Sequence, residues 1–297
     1  MPDYNEPEET IYSLIRESFP DLSLESMELV DSGWENYVVI ANRKIAFKIP
    51  RKMEGGEPLT REISITGCLK DSPVGVPVFK YVSSHGEVPV AGYDLIEGDP
   101  LNSIVRLTSP IIAQLAEFLN YLFSRKDDGC VINAIGYRSA EDWVKKYTEY
   151  RENLYSSLIE LLDDQTLSVI ALRFDEFLNN SCRTLQTSPV HGDLYRGNVL
   201  VGADACAVKG VIDWGTAEFG DPAIDFAAVA VDFDIEQVEE ILESYEGPVD
   251  KYFRDRVEFY WQMEPTYGIL YFSGRDEEEC ERHVKELQKR ISKGLYG

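Results

Sequence analysis

The stretch His191-Gly192-Asp193-Leu194-Tyr195-Arg196-Gly197-Asn198, followed by Ile212-Asp213-Trp214-Gly215, constrains this chain more than any other part of it. It spells H-x-D-x-x-x-x-N and then D-x-G, in that order, with the second element entered from an apolar run over 208–212 that reads as a strand. Either half alone is a weak signal, because an aspartate in a polar turn is ordinarily a turn former or a helix cap. The ordered pair points to phosphoryl transfer. That reaction passes through a loose transition state, so the protein's task is to position the attacking hydroxyl and neutralise charge. Asp193 is the candidate base for the hydroxyl proton. Asn198 and Asp213 offer the hard oxygen ligands that magnesium prefers. His191 reads as a brace for the loop.

Upstream, short β-like runs at 27–30, 37–40 and 45–49 are divided by Asp31-Ser32-Gly33 and by Asn42-Arg43. An amphipathic helix over 8–19 precedes them, and a helix over 60–70, with Thr60 as its cap, follows them. Strands at 76–82 and 88–96 complete a β-β-β-α-β-β order. In the third strand Lys48 stands alone among apolar residues, which suits a phosphate contact better than a solvated lysine. Its expected partner is Glu62 on the next helix, with Glu57 as the rival and an ordinary surface lysine as the bland alternative. Ser32 and Gly33 would cover the phosphates with backbone, although one glycine is far from a G-x-G-x-x-G loop. Beyond Glu97-Gly98-Asp99-Pro100 the apolar spacing is helical, interrupted by the runs at 190–201 and 208–212 and resumed over 235–295. The expectation is an α+β, bilobal, protein-kinase-like fold, with a β-rich nucleotide lobe over 1–97 and a helical catalytic lobe over 98–297.

Composition bounds the partners. With 53 acidic against 29 basic side chains the formal net charge is −24, which disfavours nucleic acid and anionic membrane and favours a cationic small molecule. Acidity that merely confers solubility is the plainer alternative. The start lacks a basic segment followed by an apolar one, and no run of about 18 apolar residues occurs, so a cytoplasmic protein is expected. The five cysteines, Cys68, Cys130, Cys182, Cys206 and Cys280, are scattered and form no C-x-x-C or Cys/His cluster. They read as reduced thiols. Nothing in the sequence fixes an oligomeric state.

Several stretches together resemble the aminoglycoside phosphotransferase family of antibiotic kinases: SGWENYVVIANRKIAFKIPR, the REI of the following helix, GYDLIEGDPL, VHGDLYRGNVLV and VIDWGTAEFGDPAIDFAAV. The glycine-poor nucleotide loop agrees with that family. HGDLY-x-G-x-VL, IDW-x-x-A and DPAID are also similar to the macrolide kinases of the same superfamily, which often carry histidine where this chain has Asn198. The resemblance implies ATP or GTP as donor, Mg2+, and a base bound against backbone between Asp94 and Ile96. It places Tyr93 where a bulky residue in some relatives disfavours adenine. It also implies an antibiotic over the C-terminal lobe, where Asp232, Asp234, Glu264 and the acidic run 276–279 supply carboxylates; Asp232 and Glu264 are the candidate substrate contacts. Asp225 is expected to brace the catalytic loop. A protein kinase is disfavoured, since few residues separate Asp213 from Gly220-Asp221-Pro222 and no A-P-E segment follows. A catalytically inactive binding module is disfavoured by the retention of Lys48, Asp193, Asn198 and Asp213.

Overall fold

Two residues of left-handed backbone, Asn42 and Arg43, each with φ of 53°, turn the chain between β2 (Asn36–Ala41) and β3 (Ile45–Pro50). A tight turn of this hand matches strand twist, and asparagine tolerates it. In the computed structural model, which describes residues 8–30, 36–51, 56–85, 88–101 and 106–296, this hairpin is the centre of a five-stranded antiparallel sheet. β1 (Met27–Val30) flanks β2, while β5 (Val88–Asp94) and β4 (Phe79–His85) lie beyond β3. Ser32 and Gly33 lie outside the described residues. The strand order read from sequence holds, with β4 beginning later and β5 ending earlier than the apolar runs.

One face of the sheet is closed by α1 (Glu8–Ser18), whose Ile11, Tyr12 and Ile15 pack with Tyr37, Val39, Phe47 and Val90. The helix between β3 and β4, α2 (Gly56–Cys68), begins a turn before Thr60, so Thr60 lies within it and not at its cap. Ile65 and the following Leu69 are fully buried in the larger core, with residues of the helical lobe. Thus α2 belongs by sequence to the sheet and by packing partly to the other lobe.

The helical lobe starts after β6 (Asp99–Pro100) with α3 (Ser109–Ser124), where Ile111, Leu115, Phe118, Leu119 and Leu122 recur at three- and four-residue intervals and are buried. α4 (Gly129–Ile135) is N-capped by Asp128, α5 (Ala140–Leu158) carries a Ser139/Asp142 capping box, and α6 (Asp164–Asn179) is capped by Asp163. Two ribbons follow. β7 (Ser188–Val190) pairs with β10 (Glu218–Gly220), and β8 (Val199–Val201) pairs with β6 and with β9 (Val208–Val211). The remaining helices are α7 (Ala223–Asp232), α8 (Ile235–Glu243), α9 (Phe253–Met263), α10 (Pro265–Phe272) and α11 (Glu277–Lys293). A buried polar knot joins α9 to α5 and to the turn between β10 and α7: Arg256 Nε meets Asp221 at 2.6 Å, Tyr260 donates to the same carboxylate at 3.0 Å, and Trp143 Nε1 donates to Tyr260 at 2.8 Å. A Cβ on Gly220 would meet the Trp143 ring at 2.5 Å, so only glycine lets β10 pass this indole.

Not all five cysteines are the reduced thiols that their scatter suggests. Cys68, the last residue of α2, and Cys130 in α4 form a disulfide, with Cα atoms 5.7 Å apart across 62 residues of sequence. The packing of α2 on α4 brings together two residues that no local spacing connects. Cys182, Cys206 and Cys280 are free. Among the described residues no helix is long and apolar enough to cross a membrane.

Candidate active site

The two ribbons hold both chemical loops by their ends: residues 191–198 span β7 to β8, and Asp213 lies between β9 and β10. His191 links the loops. It is fully buried, its Nε2 lies 3.1 Å from the carbonyl of Ile212, and its Nδ1 accepts the amide of Asp193 at 3.2 Å. That pattern needs the neutral ring, protonated on Nε2 only, and burial presses the imidazole down to about 4. Asp225 on α7 accepts the amides of His191 at 2.9 Å and Gly192 at 2.8 Å, as the bracing expectation required. Burial pushes its carboxyl up to about 7. Gly192 has φ of 77°, and a Cβ there would meet the Thr216 carbonyl at 3.1 Å.

Asn198 turns its amide nitrogen on Asp193, donating to the main-chain oxygen at 2.7 Å and to Oδ2 at 2.8 Å. The Ile212 amide donates to the Asn198 carbonyl at 2.9 Å, so Asn198 and Asp213 sit on adjoining backbone. Asp213 itself has φ of 68°, a left-handed conformation that costs a non-glycine residue on the order of 1 kcal/mol and persists only where neighbours impose it.

From the sheet, Lys48 reaches both parts of this arrangement. Its Nζ is 2.8 Å from each oxygen of Glu62 and 3.0 Å from Asp213 Oδ1. Desolvation opposes the ammonium, but Glu62 and then Asp213 outweigh it and hold Lys48 above the ordinary lysine range. Asp213 is likewise opposed by desolvation and held below the usual carboxylate range by Lys48. Glu62, not Glu57, is the partner; Glu57 is exposed. Arg61, beside Glu62, donates to the carbonyl of Gly215 at 3.1 Å. Sequence reasoning passed over this contact, although its position next to Glu62 was the available signal.

Magnesium chemistry fits this donor set. The Asp213 side chain is 47% exposed, and one carboxylate with one amide oxygen is the sparse protein contribution magnesium accepts when phosphates and water complete its shell. Among the described residues no group of three His, Cys, Asp or Glu forms a closed cage. At the edge of β5, Asp94 is exposed and its carboxylate pairs with Lys80, while the Leu95 amide donates to the Lys44 carbonyl at 2.7 Å. Ile96 packs against Gly75 and Gly210, where the lobes approach. Tyr93 is buried, edge-on to Phe79.

The expected substrate carboxylates are both occupied by the chain's own guanidinium groups. Asp232 forms an ion pair with Arg196, whose Nε lies 2.9 Å from its carboxylate, and accepts the Arg196 main-chain amide at 2.8 Å; Glu264, between α9 and α10, meets Arg290 at 2.9 Å. Burial raises the Glu264 carboxyl despite Arg290. Glu218 pairs with both Lys146 and Arg138. Tyr147, Tyr150 and Tyr267 form a contiguous aromatic group, with the Tyr150 and Tyr267 rings 5.4 Å apart.

A five-stranded lobe that lends a paired lysine to a helical lobe bearing H-x-D-x4-N and D-x-G is the architecture of a protein-kinase-like phosphotransferase. Comparison with known proteins gives the same class. The family model described as the phosphotransferase enzyme family, APH, matches residues 26–259, and the chain belongs to that family. Viomycin phosphotransferase of Streptomyces vinaceus is 24% identical over 246 residues, 79% of this chain and 83% of the relative. The GDP and kanamycin complex of APH(2")-IIia superposes with a TM-score of 0.84 at 22% identity, covering 95% of this chain and 98% of that one. Macrolide 2'-phosphotransferase MphH from Brachybacterium faecium superposes with a TM-score of 0.75 at 18% identity, covering 95% and 98%.

Proposed function

We propose that this phosphotransferase moves the γ-phosphate of ATP or GTP to a hydroxyl of an aminoglycoside antibiotic. The observation that carries the phosphoryl-transfer half is the Lys48–Glu62–Asp213 triad, drawn from two lobes onto the backbone that also holds Asn198 and Asp193. Asp193 orients the acceptor hydroxyl and takes its proton as the oxygen attacks phosphorus; the nucleoside diphosphate leaves. Lys48 contacts the donor phosphates. Asn198 and Asp213 hold Mg2+, which supplies charge neutralisation at the transferring phosphoryl group. Ser32 and Gly33 cover the phosphates, the backbone between Asp94 and Ile96 receives the base, and the chain hinges between lobes at residues 97 and 98.

The aminoglycoside half rests on the net charge of −24 and on the kanamycin bound by a relative of the same fold. Asp232 and Glu264 serve as exchangeable partners: an incoming ammonium replaces, in whole or part, the arginine each carboxylate now meets. Asp193→Ala should fold, bind nucleotide and lose about 10² or more in kcat. A folded variant turning over near the parent rate removes Asp193 from its role. Acceptor identity is decided by parallel turnover of aminoglycosides and macrolides with each donor. Faster turnover of a macrolide, whose single amine needs an apolar groove, would replace the aminoglycoside reading.

A further inference from the structure

Besides the burial of Ile65 and the hold of Glu62 on the Trp214 amide, the helix α2 is fastened to the helical lobe by a hydrogen bond and a covalent bond two turns apart, neither of which is explained by the Lys48–Glu62 pair. Near its middle, Arg61 reaches across the cleft to the carbonyl of Gly215. At its end, Cys68 is bonded to Cys130 of α4. We propose that Arg61 is a positioning residue that holds the Asp213–Gly215 segment from α2, and that the Cys68–Cys130 bond makes this hold sensitive to thiol reductants. The inference rests on the nucleotide site just described.

The segment needs holding. Asp213 sits in a left-handed backbone conformation that its surroundings must enforce. Gly215 is buried and has no side chain of its own to pack, so its main chain is fixed through hydrogen bonds. From the catalytic lobe, Thr216 Oγ1 donates to the His191 carbonyl at 3.0 Å. From the sheet lobe, Lys48 takes the Asp213 carboxylate and Arg61 takes the Gly215 carbonyl, both through α2 or its partner strand. A guanidinium donor makes this a charge-assisted bond, stronger than an amide would provide.

The other end of α2 is held to the catalytic lobe by the disulfide and by Arg125. That side chain donates to the Cys68 carbonyl at 3.2 Å and pairs with Asp128, the N-cap of α4, at 3.2 Å. Cys130 is exposed, which leaves the bond open to a thiolate from solvent. A dithiol such as dithiothreitol attacks one sulfur; a mixed disulfide forms, and the reagent's second thiol closes its own ring. Cys68 and Cys130 each leave as thiols, and the two electrons come from the reagent. Reduction leaves Arg125 and buried packing as the remaining attachments of that end, so α2 gains freedom and Arg61 bears more of the alignment.

The folded full chain would be incubated with and without dithiothreitol, and its thiols then counted by alkylation in denaturant and intact mass, since Cys182 and Cys280 are buried. Three alkylations without reductant and five with it are expected; five in both states would remove the redox part. Amide hydrogen exchange of residues 213–217 is then followed in the nucleotide-free protein, where no functional assumption enters. Arg61→Ala should exchange this segment several-fold faster than the parent and more so when reduced or combined with Cys68→Ser. Arg61→Lys should restore part of the protection. Binding of Mg·ADP and Mg·GDP by calorimetry, at a temperature where the variant is still fully folded, should weaken roughly five- to tenfold in Arg61→Ala. Parent-like exchange of 213–217 in Arg61→Ala, in both redox states, overturns the proposal. If the parent binds neither nucleotide, the function assigned to the site fails, while exchange still decides the role of Arg61.

Discussion

His191 shows how one neutral ring ties two backbone segments together. Protonating Nδ1 would put a proton where the Asp193 amide already donates, and would charge a fully buried group. The sign is that of a depressed base: the stabilisation is complete above the unfolded value near 6.5 and is lost as pH falls toward about 4. At about 1.4 kcal/mol per decade of pH this window amounts to on the order of 3 kcal/mol. His191→Gln should therefore have a shallower loss of stability between pH 6.5 and 4 than the parent, measured by urea unfolding at several pH values. An equal slope in both proteins would mean that the ring is not held neutral. This role was legible in sequence because His191, Asp193 and Asp213 carry a recognisable spacing. The pairing of Asp232 with Arg196 and of Glu264 with Arg290 was not, because a count of carboxylates says nothing of which cation each one meets.

Elements were legible to the extent that their periodicity was local. The sheet order follows from apolar runs and a two-residue turn, whereas the start of α2 slipped by a turn because Gly56 and Glu57 give no cap as plain as Thr60. The Cys68–Cys130 bond was hidden, since its residues are 62 apart and the expectation of a reducing compartment argued against it. The junction of β10, α7, α5 and α9 was hidden as well. There Arg256, 2% exposed, joins Asp221 to Asp250. Arg256→Ala would strand the fully buried Asp221 with only the Tyr260 hydroxyl and the Ala223 amide for partners. A loss of about 3 kcal/mol in unfolding free energy is expected, from chemical denaturation. Replacement of both Arg256 and Asp221 by apolar residues of similar volume should recover part of it.

For the whole molecule, the acidic surplus is a long-range property, and the paired carboxylates near the site shift its action from contact to approach. If the acceptor is a polycation, its KM should rise steeply between low and physiological salt, as the screening length contracts to about 8 Å. Initial rates at 20, 150 and 400 mM salt, with nucleotide saturating, would measure this. A flat KM would mean that the charge serves solubility and that the acceptor is recognised through its apolar surface. The comparison structures support the fold across nearly the whole chain, but at 18–22% identity they leave this choice to the cleft itself.

The three-oxygen cradle around the Lys48 ammonium has a consequence for the order in which partners arrive. With no donor bound, the position next to Asp213 Oδ1 is taken by a fixed positive charge at 3.0 Å, so a lone divalent cation approaching that carboxylate meets repulsion. On the proposed function a triphosphate would change the balance, because its oxygens would give Lys48 new partners and leave Asp213 to turn toward a metal. The free protein should thus ignore millimolar magnesium, with its melting temperature unmoved, and respond to the metal only once nucleotide is present. A substantial rise with magnesium alone would show that the ammonium does not guard the site. By this reading the resting enzyme is a lock for which the nucleotide, not the ion, is the first key.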